Sequence, residues 1–259
     1  MSWELLIVAL MAAGGAFLSF LSGFGLGTLL LPALMLFFPP ELAIAAAAVV
    51  HMANNIFKLF LVGKYAEWKI VFLFGLFSMV GAYFGAGLLR WLSADIVLFD
   101  YAIRGHHFES TLAKVVIAVV IGVFAYLESN NRLSGLKLGE SAMLTGGLVS
   151  GFFGGLTGHQ GALRSAFLMK AGMSKEAFMG TRVVIACMVD LTRLSVYYFM
   201  LQQSMDIVTS PAVIVATLAA FTGAFLGNRW MKKKEIETLN RFIQIALMVF
   251  AVCLGLGLV

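Results

Sequence analysis

The chain has 259 residues, of which 61% are hydrophobic and only 12% charged, with a formal net charge of +5. Soluble domains carry about a quarter charged residues, so a mean hydropathy of +0.96 excludes a water-soluble globular protein and leaves no room for a separate soluble catalytic domain. Nor does the positive charge mark a nucleic-acid binder, because Lys and Arg sit in short stretches between apolar runs, where they orient membrane proteins.

A bilayer is crossed by runs of about 20 apolar residues. The chain holds such runs at 4–38, 41–62, 69–91, 110–127, 140–170, 175–201, 210–230 and 241–259. They predict an all-α, polytopic helical protein with about eight transmembrane segments, multi-pass in the cell (inner) membrane. The start, Met1 to Leu10, has Glu4 and no Lys or Arg, so it reads as the beginning of the first span and not as a signal peptide. The first and fifth runs are too long for one straight crossing at about 1.5 Å per residue. The first carries Ser22-Gly23-Phe24-Gly25-Leu26-Gly27 and then Pro32; the fifth carries Gly154-Gly155-Leu156-Thr157-Gly158-His159-Gln160-Gly161. Both predict broken or re-entrant helices.

One crossing per run puts both termini on one side. The stretch from Arg229 to Arg241, with Lys232-Lys233-Lys234, is then cytoplasmic together with Arg90, Arg104, Lys114, Lys170 and Lys175. Lys64, Lys69, Arg132 and Lys137 fall opposite. His106-His107-Phe108-Glu109 reads as a solvated loop with no further metal ligands near it, and Cys187 and Cys253 read as buried thiols in apolar segments.

Three features recur in order. Ser19-x3-Gly23-x3-Gly27 matches Ser150-x3-Gly154-x3-Gly158. Glu41 followed by Asn55-x2-Lys58 matches Glu176 followed by Asp190-x2-Arg193. Gly81-Ala82-Tyr83-Phe84-Gly85 matches Gly223-Ala224-Phe225-Leu226-Gly227. They predict two related units, 1–127 and 140–259, joined by a connecting loop at 128–139. The Gly-Ala-aromatic pairs read as close helix packing. Breaks at membrane depth free backbone groups that lipid cannot satisfy, and half-helix N-termini suit an anion. Gly23, Gly25, Gly27, Gly154, Gly158 and Gly161 are therefore candidate lining residues.

A charge at the bilayer centre costs about 2.5–3.5 kcal/mol on insertion scales, so each needs a reason. On the second run His51, Asn54, Asn55 and Lys58 fall within one helical stripe; on the sixth, Arg182 and Arg193 share a face and Asp190 stands one turn before Arg193. Arg164 follows the second glycine-rich break. Lys58, Arg164, Arg182 and Arg193 against Asp190 leave an excess of about three positive charges at depth, which an entering anion would balance. Neutral donors would come from Asn54, Asn55, His159 and Gln160. Proton-coupling candidates are Asp190, Glu176 and His51. No nucleophile–base pair, no metal set and no dinucleotide fingerprint is found, so no enzyme activity, cofactor or metal is expected.

The motifs Ser22-Gly23-Phe24-Gly25-Leu26-Gly27-Thr28-Leu29-Leu30-Leu31-Pro32 and Ser150-Gly151-Phe152-Phe153-Gly154-Gly155-Leu156-Thr157-Gly158-His159-Gln160-Gly161 resemble the paired glycine-rich stretches of the sulfite exporter TauE/SafE family, also called the toluene sulfonate uptake permease family. The triple glycine of that family is incomplete in the first copy and replaced by Gly158-His159-Gln160-Gly161 in the second, and no Pro precedes Arg164. The resemblance implies transport of a small organic or sulfur-containing anion, such as sulfite, a sulfonate or sulfoacetate. The expected mode is alternating access between the two units; a passive anion channel and, further off, an intramembrane enzyme are the alternatives. Lipid and a small anion are the expected partners, with nucleic acid excluded and a homo-oligomer left open.

Overall fold

The computed structural model describes residues 3–21, 25–93, 96–103, 106–129, 141–202, 205–230 and 237–259. Its helices are α1 (Trp3–Leu21), α2 (Leu26–Met35), α3 (Pro40–Val62), α4 (Trp68–Leu92), α5 (Leu112–Ser129), α6 (Ser141–Thr157), α7 (Gly161–Leu168), α8 (Lys175–Gln202), α9 (Met205–Val208), α10 (Pro211–Trp230) and α11 (Glu237–Gly255). Pro40 and Pro211 open α3 and α10, where a missing N–H costs nothing. The stretches Trp3–Phe20, Pro40–Tyr65, Trp68–Leu92 and Asp206–Trp230 are long and apolar enough to cross a membrane, and Leu112–Leu127, Ala142–Thr157 and Arg241–Gly255 are shorter apolar helices. Helix α8 spans 28 residues with Arg182, Asp190 and Arg193 inside it. The protein is thus an all-α polytopic membrane protein with two glycine-broken segments, as the sequence predicts.

One feature departs from the expected pattern. The connection between α4 and α5 is not a loop but an antiparallel hairpin, β1 (Val97–Ile103) with β2 (His106–Thr111). Its alternation of Phe99, Tyr101 and Ile103 with Asp100 and Ala102 is a strand signal, too short to register as an apolar run.

Both overlong runs fold back on themselves. A Cβ at Gly15 would stand 2.9 Å from the Leu26 carbonyl oxygen, one at Gly14 would stand 3.7 Å from Leu29, and the Trp3 and Phe37 rings meet at 5.8 Å. Helix α2 therefore returns along α1 to the end where α1 began. In the second unit Gly154 faces Gln160, and Gly146 lies under the Phe167 ring, so α7 returns along α6 in the same way.

These two reversals correct the expected sidedness. With α1–α2 and α6–α7 as hairpins, the ends of α2, α4 and α11 fall at the end of the bundle that holds Trp3. Arg90 and Lys114 lie there, while Lys64, Lys69, Lys175, Arg229 and Arg241 lie at the other, basic end. Lys232, Lys233 and Lys234 lie outside the described residues, as do Arg104, Arg132 and Lys137. Arg90 and Lys114 are thus opposite the basic end, and Lys64 and Lys69 share it, because each hairpin adds a turn that a one-crossing count omits.

The packing is duplicated. Helix α10 runs parallel to α1, with Gly223 against the Ala13 carbonyl and Gly227 against Phe17; α4 runs parallel to α6, with Gly81 against the Leu148 carbonyl and Gly85 against the Phe152 carbonyl. Helix α3 packs on α8 and α10, as α8 packs on α3 and α4, and α5 pairs with α11. Exchanging α1 with α6, α2 with α7, α3 with α8, α4 with α10 and α5 with α11 leaves this set of neighbours unchanged, with the second set upside down. The backbone approach depends on glycine, as in lipid-embedded helix pairs generally.

The same contacts correct one register. Ala13 answers to Leu148 and Phe17 to Phe152, so the displacement between the two hairpins is the same 135 residues that separate Asn55 from Asp190. Ser19 therefore corresponds to Gly154, not to Ser150. A small-residue pattern that repeats every helical turn survives a slip of one turn, so it could not fix the register by itself.

Candidate functional site

The tips of the two hairpins meet α3 and α8 in the middle of the bundle. Gly25, extended at φ −83° and ψ 157°, precedes α2, and Gly158, at φ +80°, turns the chain between α6 and α7. A Cβ at Gly27 would stand 3.0 Å from His51 Nε2 and 3.7 Å from the Gly158 carbonyl oxygen, so only glycine lets the breaks approach across that imidazole. The first N–H groups of α2 and α7 have no partner within their helices and carry the positive end of each dipole.

Between these elements lies a cavity of about 60 Å³, room for a few water molecules. The first hairpin contributes Ser19, Gly25 and Leu26 and the second Gly158, Gln160, Gly161 and Arg164. Helix α3 contributes His51, Asn55 and Lys58, and α8 contributes Met179, Arg182, Val183 and Ala186.

The cations in and behind it differ in how they are held. Lys58 Nζ donates to Ser19 Oγ at 2.6 Å and lies 5.2 Å from the Phe20 ring centre. With its amide turned to suit both neighbours, Asn54 accepts from Lys58 Nζ at 3.1 Å and donates to the Ala220 carbonyl at 3.2 Å. Arg182 reaches Met179 Sδ at 3.9 Å and lies over the Phe178 ring at 5.2 Å. Arg164 is 4% exposed and donates from Nη1 to the Arg182 carbonyl at 3.1 Å, while its Nε and Nη2 have no hydrogen-bond partner among the described residues. Those two N–H groups form one side of the planar guanidinium fork, the side that grips two oxygens of an oxyanion.

Behind the cavity the repeated positions of α3 and α8 touch directly. Asn55 Nδ2 donates to Asp190 Oδ2 at 2.7 Å, and Arg193 Nη2 stands 2.8 Å from Asp190 Oδ1, in ion-pair contact but off hydrogen-bond alignment. Arg193 Nη1 also donates to the Gly154 carbonyl at 3.3 Å. Since Ser19 answers to Gly154 and Lys58 to Arg193, each unit ties its α3 or α8 cation to its own hairpin. One turn beyond Arg193, the fully buried Tyr197 donates to the Gly155 carbonyl.

Of the residues singled out from sequence, Gly25, His51, Asn55, Lys58, Gly158, Gln160, Gly161, Arg164 and Arg182 line the cavity. Arg193, Asp190, Asn54 and Gly154 form the hydrogen-bonded wall behind it, and Gly27 faces His51. His159 is buried beside Gly158 and Gln160, outside the lining, and neither ring nitrogen has a partner among the described residues. Glu176 stands exposed in the first turn of α8. Gly23 lies outside the described residues. Ser19 and Tyr197 were missed as site residues, although Tyr197 continues the Asp190, Arg193 face and Ser19 already figured in the repeat.

A bundle of membrane helices with inverted, glycine-broken hairpins around an electropositive cavity defines a membrane transport protein for a small anion. The sequence profile of the sulfite exporter TauE/SafE family matches residues 6–257, and the chain belongs to that family, a family of transporters and not of enzymes. No curated protein and no solved structure matches the chain.

Proposed function

We propose that the protein carries a small sulfur oxyanion or organosulfonate, such as sulfite, a sulfonate or sulfoacetate, across the cell membrane by alternating access. The unpartnered Nε and Nη2 of buried Arg164 carry this reading. A buried donor left unmade costs about 1–3 kcal/mol, and a substrate oxyanion would satisfy two at once. Lys58 and Arg182 add charge, the N-termini of α2 and α7 add backbone donors, and Asn55 and Gln160 complete the lining. Asn54, His159 and Arg193 support it from the wall. Of the proton-coupling candidates His51, Asp190 and Glu176, only His51 lines the cavity. The basic end of the bundle faces the cytoplasm.

Residues 1–127 and 140–259, joined through 128–139, are the two repeats, but they are not the bodies that move. Helix α10 is locked on α1 and α4 on α6 by backbone contact at glycine, so each repeat lends one helix to the other. The bodies are α1, α2, α3 and α10 on one hand and α4, α6, α7 and α8 on the other. They rock about the α3–α8 contact, with α5 and α11 beside them. Spin labels on α1 and α10 are expected to keep their distance when sulfite is added, while labels at the ends of α3 and α8 change theirs; fixed α3–α8 distances would sink the two-body reading.

The function is tested by thermal shift of the purified protein with sulfite, organosulfonates, carboxylates and phosphate, followed by uptake into proteoliposomes. Stabilisation by the sulfur oxyanions above the others, and accumulation against a gradient, are expected. Downhill flux alone would make the protein a channel, and no stabilisation by any sulfur oxyanion would remove the substrate assignment.

A further inference from the structure

The hairpin between α4 and α5 plays no part in the transport reading, yet it is strongly two-faced. Its register sets Phe99 against Ser110, Tyr101 against Phe108 and Ile103 against His106 on one face. The other face carries Asp100 against Glu109 and Ala102 against His107. On the first face the rings of Phe99, Tyr101 and Phe108 stack in a row, with centroids 6.4 and 5.5 Å apart.

That aromatic face is turned toward the bundle. Tyr101 Oη donates to the Leu256 carbonyl and Ser110 Oγ to the Gly255 carbonyl, each at 2.7 Å, so the ribbon holds the last turn of α11. Gly257, at φ +74°, ends that helix with its Cα against the Glu109 carbonyl, a contact that any side chain would prevent. The C-terminal turn covers only part of the face: Phe99 remains 42% and Ile103 53% exposed. Leu256, Leu258 and Val252 at the end of the chain and Trp91 near the end of α4 are exposed as well.

The position along the membrane normal follows from connectivity. The ribbon begins where α4 ends at Leu92 and finishes where α5 begins at Leu112, so it lies at the level where hydrocarbon gives way to water. Arg90 and Lys114 stand at that level on either side of it. A lone two-stranded hairpin is marginal in water, and one aromatic face with one acidic face is the partition that an interfacial element needs. Like charges at Asp100 and Glu109, directly opposite each other, are tolerable only where water screens them.

We propose that the ribbon formed by β1 and β2 is an interfacial lipid-binding element: Phe99, Tyr101, Ile103 and Phe108 rest on the acyl-chain boundary of the leaflet away from the basic end, and Asp100, His107 and Glu109 face water. The partner is the lipid surface itself, and the ribbon fixes the C-terminal turn of α11 at that depth.

The test uses the full chain with Cys187→Ser and Cys253→Ser, reconstituted in vesicles of phosphatidylcholine and phosphatidylglycerol. Nitroxide labels are placed singly at Phe99→Cys, Ile103→Cys, Asp100→Cys and His107→Cys. Relaxation by lipid-soluble oxygen is expected to dominate at positions 99 and 103, and relaxation by a water-soluble nickel chelate at 100 and 107. Nickel dominance at all four positions overturns the proposal. So does shielding of 99 and 103 from both relaxants with dipolar broadening, which would assign the face to a second copy of the chain. As an independent variant, Ile103→Asp is expected to raise nickel access at a label on residue 99; unchanged access there also overturns it.

Discussion

Where the first hairpin places Leu29, the second places Arg164; where α3 places Ala47, α8 places Arg182; and where α3 places Asn55, α8 places Asp190, all at the displacement of 135 residues that relates the units. The backbone framework is made twice, with hairpins, helix crossings and glycine contacts in matching places. The charge is distributed unequally. Lys58 is the cation the first unit brings to the cavity, and it is already engaged by Ser19 and Asn54, whereas the second unit brings Arg164 with an open fork. Scaffold and substrate chemistry are therefore separable, and substitutions at paired positions should act alike on the first and unlike on the second.

The largest effect should be on the scaffold, and equal in the two units. Gly81→Val would drive a side chain into the Leu148 carbonyl, and Gly223→Val into the Ala13 carbonyl. Neither neighbour is a flexible side-chain end, so nothing nearby can yield except the helix spacing itself. Both variants are expected to lose the monodisperse folded peak on size exclusion in detergent. A variant of one pair that folds normally while the other fails would break the equivalence of the units.

Next in size, and unequal, are the positions that meet between α3 and α8. Asp190→Asn leaves Arg193 charged and unpaired in the interior, a loss of about 3–5 kcal/mol. Asn55→Ala removes one hydrogen bond to a charged group, about 1.5–3 kcal/mol. Adding Arg193→Gln to Asp190→Asn should recover most of the stability lost, as read by thermal unfolding. Failure to recover would mean that Asp190 acts on something other than its arginine.

This asymmetry shows what the sequence could and could not reveal. The spans, the two breaks and the pairing of Glu41, Asn55 and Lys58 with Glu176, Asp190 and Arg193 were readable, because apolar length and identical spacing are one-dimensional signals. That Lys58, Arg164 and Arg193 need partners in the interior was readable too, since each charge at membrane depth demands a reason, and all three are buried. The direction of α2 and α7 was not. A glycine-rich break permits either onward or backward travel, and that choice at both breaks reverses the side of the loops between them. The division of labour between Arg164 and Arg193 was also hidden: both are buried arginines near breaks, and only three-dimensional contact shows that Arg193 stands in ion-pair contact with Asp190 and donates to the Gly154 carbonyl, its own Nε open, while Arg164 lines the cavity with Nε and Nη2 open.

At the site itself, the comparison is sharpened by Arg164→Lys beside Leu29→Met. Lysine keeps the charge but has no planar fork, so the bidentate grip is lost. Sulfite binding is expected to weaken about 10–100-fold, the worth of about 1.5–3 kcal/mol in charged hydrogen bonds. The Leu29→Met variant, a volume-conserving change outside the cavity lining, should bind as the unaltered protein does. Equal losses in the two would mean that the hairpins contribute to the substrate alike and that the second has no special role.

The smallest effect tests whether the glycines of α4 matter as a class or only where they face a helix. Gly81 and Gly85 lie against α6 carbonyls, whereas a Cβ at Gly87, on the same helix, would meet nothing within 4 Å. Gly87 lines the open groove between α4 and α8, bounded by Tyr83, Phe84 and Ser195. A methyl group there enters space that lipid or detergent can vacate, and alanine is the better helix former. Gly87→Ala should therefore change thermal stability by no more than about 0.5 kcal/mol, against complete loss for Gly81→Val on the same helix. A large destabilisation at Gly87 would show that α4 needs glycine for its own bending and not for contact with α6. The equivalence drawn between the α4–α6 and α1–α10 pairs would then rest on the wrong cause.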